Sequence, residues 1–189
     1  MASAVEICNK ALYLIGQESI AAIDPPDDND RARLCAAFYA SSRDATLRAY
    51  EWNFAIRRDT LVLDGTAPEN GYAAQYVLPT DPYCLRVLEL NDDPEAEWVI
   101  EGRRLLTNES EAIIKFIARI TETGYFDSLF EDTLAARLAM DLAMPVTKKY
   151  ELMESMAKLY EYKLNEARGI SMEERGKIPE PTSPFISVR

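Results

Sequence analysis

Histidine is absent from all 189 residues, which removes Ser-His-Asp and Cys-His nucleophile systems and every metal site that relies on imidazole. Cys8, Cys35 and Cys84 are odd in number and widely separated. No two of them stand at the spacing of a zinc or redox motif, so packing as small hydrophobes is the expected use, in a reducing compartment. The seven glycines are scattered and build no phosphate-cradling loop. With 32 acidic residues, a carboxylate pair at glycosidase separation would arise in almost any fold and carries little information. Asn91-Asp92-Asp93-Pro94-Glu95 is the one dense run of oxygen ligands. It lacks the ligand spacing and central glycine of a calcium loop and reads as a solvated turn. No metal, cofactor or catalytic residue is therefore expected.

The basic residues are equally dispersed. Arg57-Arg58, Arg103-Arg104 and Lys148-Lys149 are isolated pairs, expected to make surface salt bridges, which are individually weak. The net charge is −11 and the pI near 4.6. A nucleic-acid clamp, which needs clustered Lys and Arg to release counterions, is thereby disfavoured. Apolar residues at 48 % and charged residues at 28 % suit a folded globular chain. Residues 1–6 lack the basic start and apolar run of a signal peptide, and no 18-residue apolar run suggests a membrane span. The expectation is a protein made in and held in the cytoplasm until something assembles it.

Hydrophobic periodicity places these residues on elements. Ser3 with Glu6 forms a capping box for a first helix, carried by Val5, Cys8, Ala11, Leu12 and Ile15 as far as Gly16. Residues 20–29, with Pro25-Pro26, read as a loop. Asp28 or Asn29 caps a second helix whose apolar stripe is read as Leu34, Phe38, Ser41, Ala45 and Arg48, widened by Cys35, Ala37 and Tyr39. Trp52 and Phe54 then anchor its end. From Leu61 the period drops to two, with strands expected at 61–63, 72–78, 84–90 and 113–120, and a hairpin at 98–107 turning at Glu101-Gly102. Asp127 caps a third helix, with Phe130, Leu134, Leu138 and Leu142 among alanines, that Pro145 helps stop. Thr147 caps a fourth, with Leu152, Met156, Leu159, Tyr160 and Leu164 buried, ending at Gly169.

The fold class is α+β: an antiparallel helix bundle built from both chain ends, with an inserted β-rich subdomain and an extended C-terminal tail. The boundaries are 1–60 and 124–169 for the two helical halves, 61–123 for the insertion, and 170–189 for a tail carrying Pro179, Pro181 and Pro184.

Three segments stand in a recognisable order: Tyr50-Glu51-Trp52-Asn53-Phe54-Ala55, then Leu78-Pro79-Thr80-Asp81, then Arg119-Ile120-Thr121-Glu122-Thr123-Gly124-Tyr125-Phe126-Asp127 leading into the Ala/Leu-rich run that ends at Met144-Pro145. In pattern and order the chain resembles the head-to-tail adaptor of short-tailed phages, the tail tubular protein A family. The resemblance implies a virion part of a tailed phage or prophage that forms a homo-oligomeric ring, a dodecamer by analogy, beneath the portal protein. The inserted part would help hold the downstream tail component, and phage DNA would pass through the channel without specific binding. The C-terminal segment would reach the portal, with Ile178, Pro184, Phe185, Ile186, Val188 and Arg189 as candidate portal-binding residues. Closed rings need two different complementary surfaces on each subunit. Two alternatives remain: a virion-associated cell-wall hydrolase using a carboxylate pair, which a lysis assay would reveal, and a connector of a long-tailed phage, against which the strands count.

Overall fold

The computed structural model describes residues 2–66, 68 and 71–174, of which the side chains of 171–174 are left aside. The candidate portal-binding residues Ile178, Pro184, Phe185, Ile186, Val188 and Arg189 lie outside the described residues. The fold is α+β, with four helices and two antiparallel sheets. No helix among the described residues is long and apolar enough to cross a membrane.

Helix α1 (Ala4–Leu14) starts at the Ser3–Glu6 capping box, which satisfies two backbone N–H groups reciprocally. Helix α2 (Asp30–Ala49) is capped by Asn29, whose side chain accepts from Ala32 N–H at 2.8 Å. Its buried face is not the stripe expected from sequence. Ala32, Cys35, Tyr39, Ser42, Arg43, Thr46 and Leu47 are buried, whereas Ser41 and Arg48 are exposed. Three of the inward polar groups are bonded, Ser42 Oγ to Asp141 at 2.7 Å, Thr46 Oγ1 to the Ser42 carbonyl at 2.8 Å and Arg43 to Asp44, whereas the Tyr39 hydroxyl is buried without a hydrogen-bond partner. Cys35 and Tyr39 of the expected face are buried, and the helix is turned from the rest of that stripe toward the side where Ser42 and Thr46 find partners.

Strand β1 (Ile56–Thr60) precedes the expected first strand and falls inside the segment 1–60 assigned to helix. Its sequence, Ile-Arg-Arg-Asp-Thr, hides it, because an edge strand exposed on both faces carries charge where an inner strand carries aliphatics. It pairs with β7 (Ile113–Ala118), which pairs in turn with β4 (Cys84–Leu90). The second sheet runs β2 (Val62–Leu63), β3 (Ala74–Val77), β6 (Arg104–Thr107), β5 (Trp98–Glu101). The β5–β6 turn is Gly102-Arg103, one residue later than expected, with Gly102 at φ 58° and Glu101 opposite Arg104. Adjacent residues of β7 face opposite sides, yet Ile114, Phe116 and Ile117 are all fully buried, so this strand is covered on both faces.

Helix α3 (Ser128–Thr147) begins at Asp127, which accepts from Phe130 N–H at 2.7 Å. It packs against α1, α2 and α4, and Phe130, Leu134, Leu138, Leu142 and the alanines between them are buried. Pro145 lies inside the helix rather than ending it. The bond it forfeits is in the last turn, where Thr147 Oγ1 donates to the Ala143 carbonyl and Lys148, at φ 58°, closes the helix on Met144. Thr147 is consequently the last residue of α3, although its hydroxyl also accepts from Lys149 N–H at 3.3 Å.

Helix α4 (Tyr150–Glu174) continues through Gly169, which is not in the left-handed conformation that ends helices. Residues 170–174, expected to belong to an extended tail, are therefore helical. Among the expected inward residues of α4, Leu164 is buried, while Leu152, Met156, Leu159 and Tyr160 are half-buried. Among the described residues, α3 is the one element it contacts extensively.

Candidate functional site

Two of the three segments singled out in the sequence meet where the helices join the sheets, and the third is tied to them through Arg103 and Tyr83. Trp52, fully buried, lies edge-on to Phe130 at 5.0 Å and to Tyr50 at 5.4 Å, and Phe54, Phe126 and Phe130 close the cluster. The indole N–H donates to the Thr46 carbonyl at 2.9 Å. That carbonyl lies in the last turn of α2, which the indole thereby ties down. The segment following Leu78 is fixed from both sides. Arg119 N–H donates to the Tyr83 carbonyl at 2.8 Å, and Arg103 donates to the carbonyls of Cys84 at 2.8 Å and of Pro79.

Tyr83 is the hub of this junction. The guanidinium of Arg103 lies 4.0 Å from its ring centroid and that of Arg119 4.2 Å. Arg119 also bonds Asp44 at 2.7 Å, and Asp44 takes Arg43 on its other oxygen at 2.8 Å. A chain of charge-assisted contacts thus runs from α2 through Asp44 and Arg119 to the sheet. Arg103, read from sequence as half of a surface pair, is half-buried and works as a clamp, whereas its neighbour Arg104 does bridge Asp64 at 2.6 Å. Arg58 likewise pairs with Asp92. Neighbouring residues at a strand end project to opposite faces, so the pair splits between interior and solvent. Tyr83 and Asp44 were not anticipated, and no spacing in the sequence marks them.

Several titratable groups are displaced away from neutral pH, while the hydrogen bond with Cys8 lowers Cys35. Burial pushes the Cys84 thiol up to about 11 and the Tyr39 hydroxyl up to about 12. The hydrogen bond to Cys35, with burial, raises Cys8. All three cysteines are free and buried, so none presents a thiolate nucleophile at the surface. Asp64 and Asp92 are held below the usual carboxylate range, first by hydrogen bonds from Arg104 and Arg58 respectively. A general acid at neutral pH needs the opposite displacement. In the acidic turn, Asn91 and Asp92 both take left-handed conformations. There Asn91 accepts from Ile113 N–H and donates to the Glu111 carbonyl, while Asp93 accepts from Glu95 N–H.

No protein-family model matches this chain, and no curated protein matches it. Its surface supplies the remaining evidence. At the far end of the helices, a groove of about 750 Å³ is lined by Leu14, Ile15, Tyr150 and Leu152, beside the exposed Tyr13. On the sheets, Val62 is 73 % exposed and its pairing partner Val77 43 %. A second cleft, of about 330 Å³, opens between the end of α2 and the β5–β6 hairpin.

Proposed function

We propose that this chain is a structural head-to-tail adaptor of a tailed phage or prophage and not an enzyme. Copies form a ring beneath the portal, a dodecamer by analogy, that joins the DNA-filled head to the tail and lines the DNA channel. The observation that carries this reading is the order of parts. Helices from before and after the strands, α1, α2 and α4, all pack on α3, while β1 to β7 lie between them in sequence. That order of parts fits the antiparallel bundle with a β-rich insertion that the resemblance implies, and this fit supports the reading. The half-buried face of α4 and the exposed apolar residues at both ends of the molecule supply surface for neighbouring subunits.

In this reading the helical part makes the ring, the sheets hold the downstream tail component, and residues 178–189 engage the portal. The chain assembles in the host cytoplasm and ends in the virion tail. Its charge of −11 keeps the genome from adhering as it passes. The test is electron microscopy of the purified chain mixed with its cognate portal. Closed rings seated on the portal are expected. A chain that leaves portal particles undecorated at every concentration would overturn the proposal.

A further inference from the structure

This acidic chain gathers positive charge in one concave place. The cleft at the C-terminal end of α2 is lined by Arg48, Arg86 and Arg103 together with Tyr83, Trp98 and Ile100, and no Asp or Glu is among its described lining residues. Arg48 spends one N–H on the Leu85 carbonyl at 2.7 Å. Arg86 reaches Glu51 only at 3.8 Å, and its Nε is buried without a hydrogen-bond partner. A buried guanidinium N–H with no acceptor is costly, and the arginine fork fits a carboxylate.

The complementary feature sits at the other end of the same helix. The loop 20–29 precedes α2 and carries Asp24, Pro25, Pro26 and Asp28 exposed. It is fixed in place: Asn9 bonds Ile20 in both directions, at 2.8 and 3.0 Å, and the Asp27 carboxylate accepts from Ala21 and Ala22 N–H. Asp24 itself makes no hydrogen bond or ion pair among the described residues, so its carboxylate stands free on a pre-organised support. The 20 residues of α2 separate loop from cleft, about 30 Å at the helical rise.

We propose that the arginine cleft of one copy receives the Asp24-bearing loop of a second copy, making a head-to-tail contact along α2. Two surfaces at opposite ends of one rigid element leave each joined copy with a free cleft or a free loop, so the contact propagates and closes only as a ring. Copies of net charge −11 repel one another at long range, and a contact that matches opposite charges locally selects this docking among all others. The contact deepens the adaptor reading and rests on it for ring closure.

The test uses the full chain in two forms, Arg48→Glu with Arg86→Gln in the cleft, and Asp24→Lys with Asp28→Lys in the loop. Arg103 is left alone because it clamps the sheet junction. Sedimentation velocity over a concentration series, with melting curves to establish folding, should find each form at least about tenfold weaker in self-association than the native chain. An equimolar mixture of the two should recover association, because each altered cleft then meets an altered loop and each native cleft a native loop. Asp24→Asn, a milder change on an exposed loop, should show a smaller loss in the same direction. A mixture that associates no better than its parts, variants that match the native chain, or a native chain that stays monomeric would each overturn the contact. Variants that still form normal rings on the portal would reject the contact and leave the adaptor reading standing. Undecorated portal would reject the adaptor reading by itself.

Discussion

Trp52→Phe tests whether the helix–sheet junction is the structural centre of this chain. The native indole is fully buried, lies against Phe130, Tyr50 and Phe54, and donates to the Thr46 carbonyl at 2.9 Å. Phenylalanine keeps an aromatic ring but loses the donor, so the Thr46 carbonyl gives up its side-chain hydrogen bond. A hydrogen bond of this kind is worth about 0.5 to 1.5 kcal/mol net, and the void left by the second ring adds about 1 kcal/mol. The total is about 1.5 to 2.5 kcal/mol, which in a chain of this size lowers Tm by about 3 to 10 °C. Differential scanning calorimetry with a urea titration measures both quantities. Fluorescence gives a parallel reading, because Trp98, the other tryptophan, is half-buried and the buried emission should vanish with Trp52. Phe54→Leu, which removes no hydrogen bond of this kind, should cost less. A Tm change under about 2 °C for Trp52→Phe would refute the reasoning, since neither the lost bond nor the void could then be real.

Ala139 is fully buried on α3, so Ala139→Leu should overpack the helices by about 1 to 3 kcal/mol, read as a lower urea midpoint; an unchanged midpoint would mean that this face opens to a neighbouring subunit. Because the buried core among the described residues runs from Ile7 to Ala167, deleting 178–189 should leave Tm unaltered and abolish portal binding in a pull-down, and a truncated chain that unfolds would place those residues in the fold instead. Alkaline stability has a definite sign: Cys84 and Tyr39 ionise in the unfolded chain near their ordinary values of 9 and 10 but in the native chain only at about 11 and about 12. Their stabilising contribution is therefore complete below pH 9 and is lost as pH rises toward 12. Tm measured across that window should fall, and Cys84→Ala with Tyr39→Phe should flatten the slope; a wild-type Tm that holds level to pH 11 would contradict the burial of both groups.

The elements legible in sequence are those whose local and tertiary signals agree. Ser3 and Glu6 made α1 readable, the four-residue apolar repeat from Phe130 made α3 readable, and alternating aliphatics bounded by turn residues marked β4 and β7. The misreadings share a cause, in that each turns on a partner far along the chain. Strand β1 exists because Ile56 to Thr60 pair with Ile113 to Ile117. The true face of α2 is set by Asp141, which receives Ser42 from 99 residues away. Arg103 faces inward because carbonyls of Pro79 and Cys84 wait for it. Gly169 and Pro145 are helix breakers by propensity, and each fails to break its helix because a propensity near a helix end is a small term. The junction itself was half visible. Its aromatic members lay in the recognised segments, whereas Tyr83 and Asp44 acquire meaning only when Arg119 and Arg103 reach them.

The electrostatics support the scaffold reading proposed above. An active site draws pKa values toward the working pH, raising carboxyls and lowering amines or thiols. Here burial sends Cys84 and Tyr39 further above neutrality, and arginine bonds send Asp64 and Asp92 further below the usual carboxylate range. Each such displacement deepens the protonation state that the group already holds at pH 7, so what the chain gains is fixed charge and fixed geometry. Fixed charge is what a repeated contact between identical subunits requires, because each interface must form in the same register as the one before it. The Asp44–Arg119–Tyr83–Arg103 chain supplies that rigidity between α2 and the sheets. It holds the cleft that opens beside Arg48 at a constant angle to the helix whose other end carries the loop. Breaking it with Asp44→Asn should therefore disturb assembly more than it disturbs folding. A melt that barely shifts while sedimentation shows lost or irregular oligomers is the expected result. Equal loss of both, or normal assembly despite the broken chain, would show that the junction does not set the geometry of the contact.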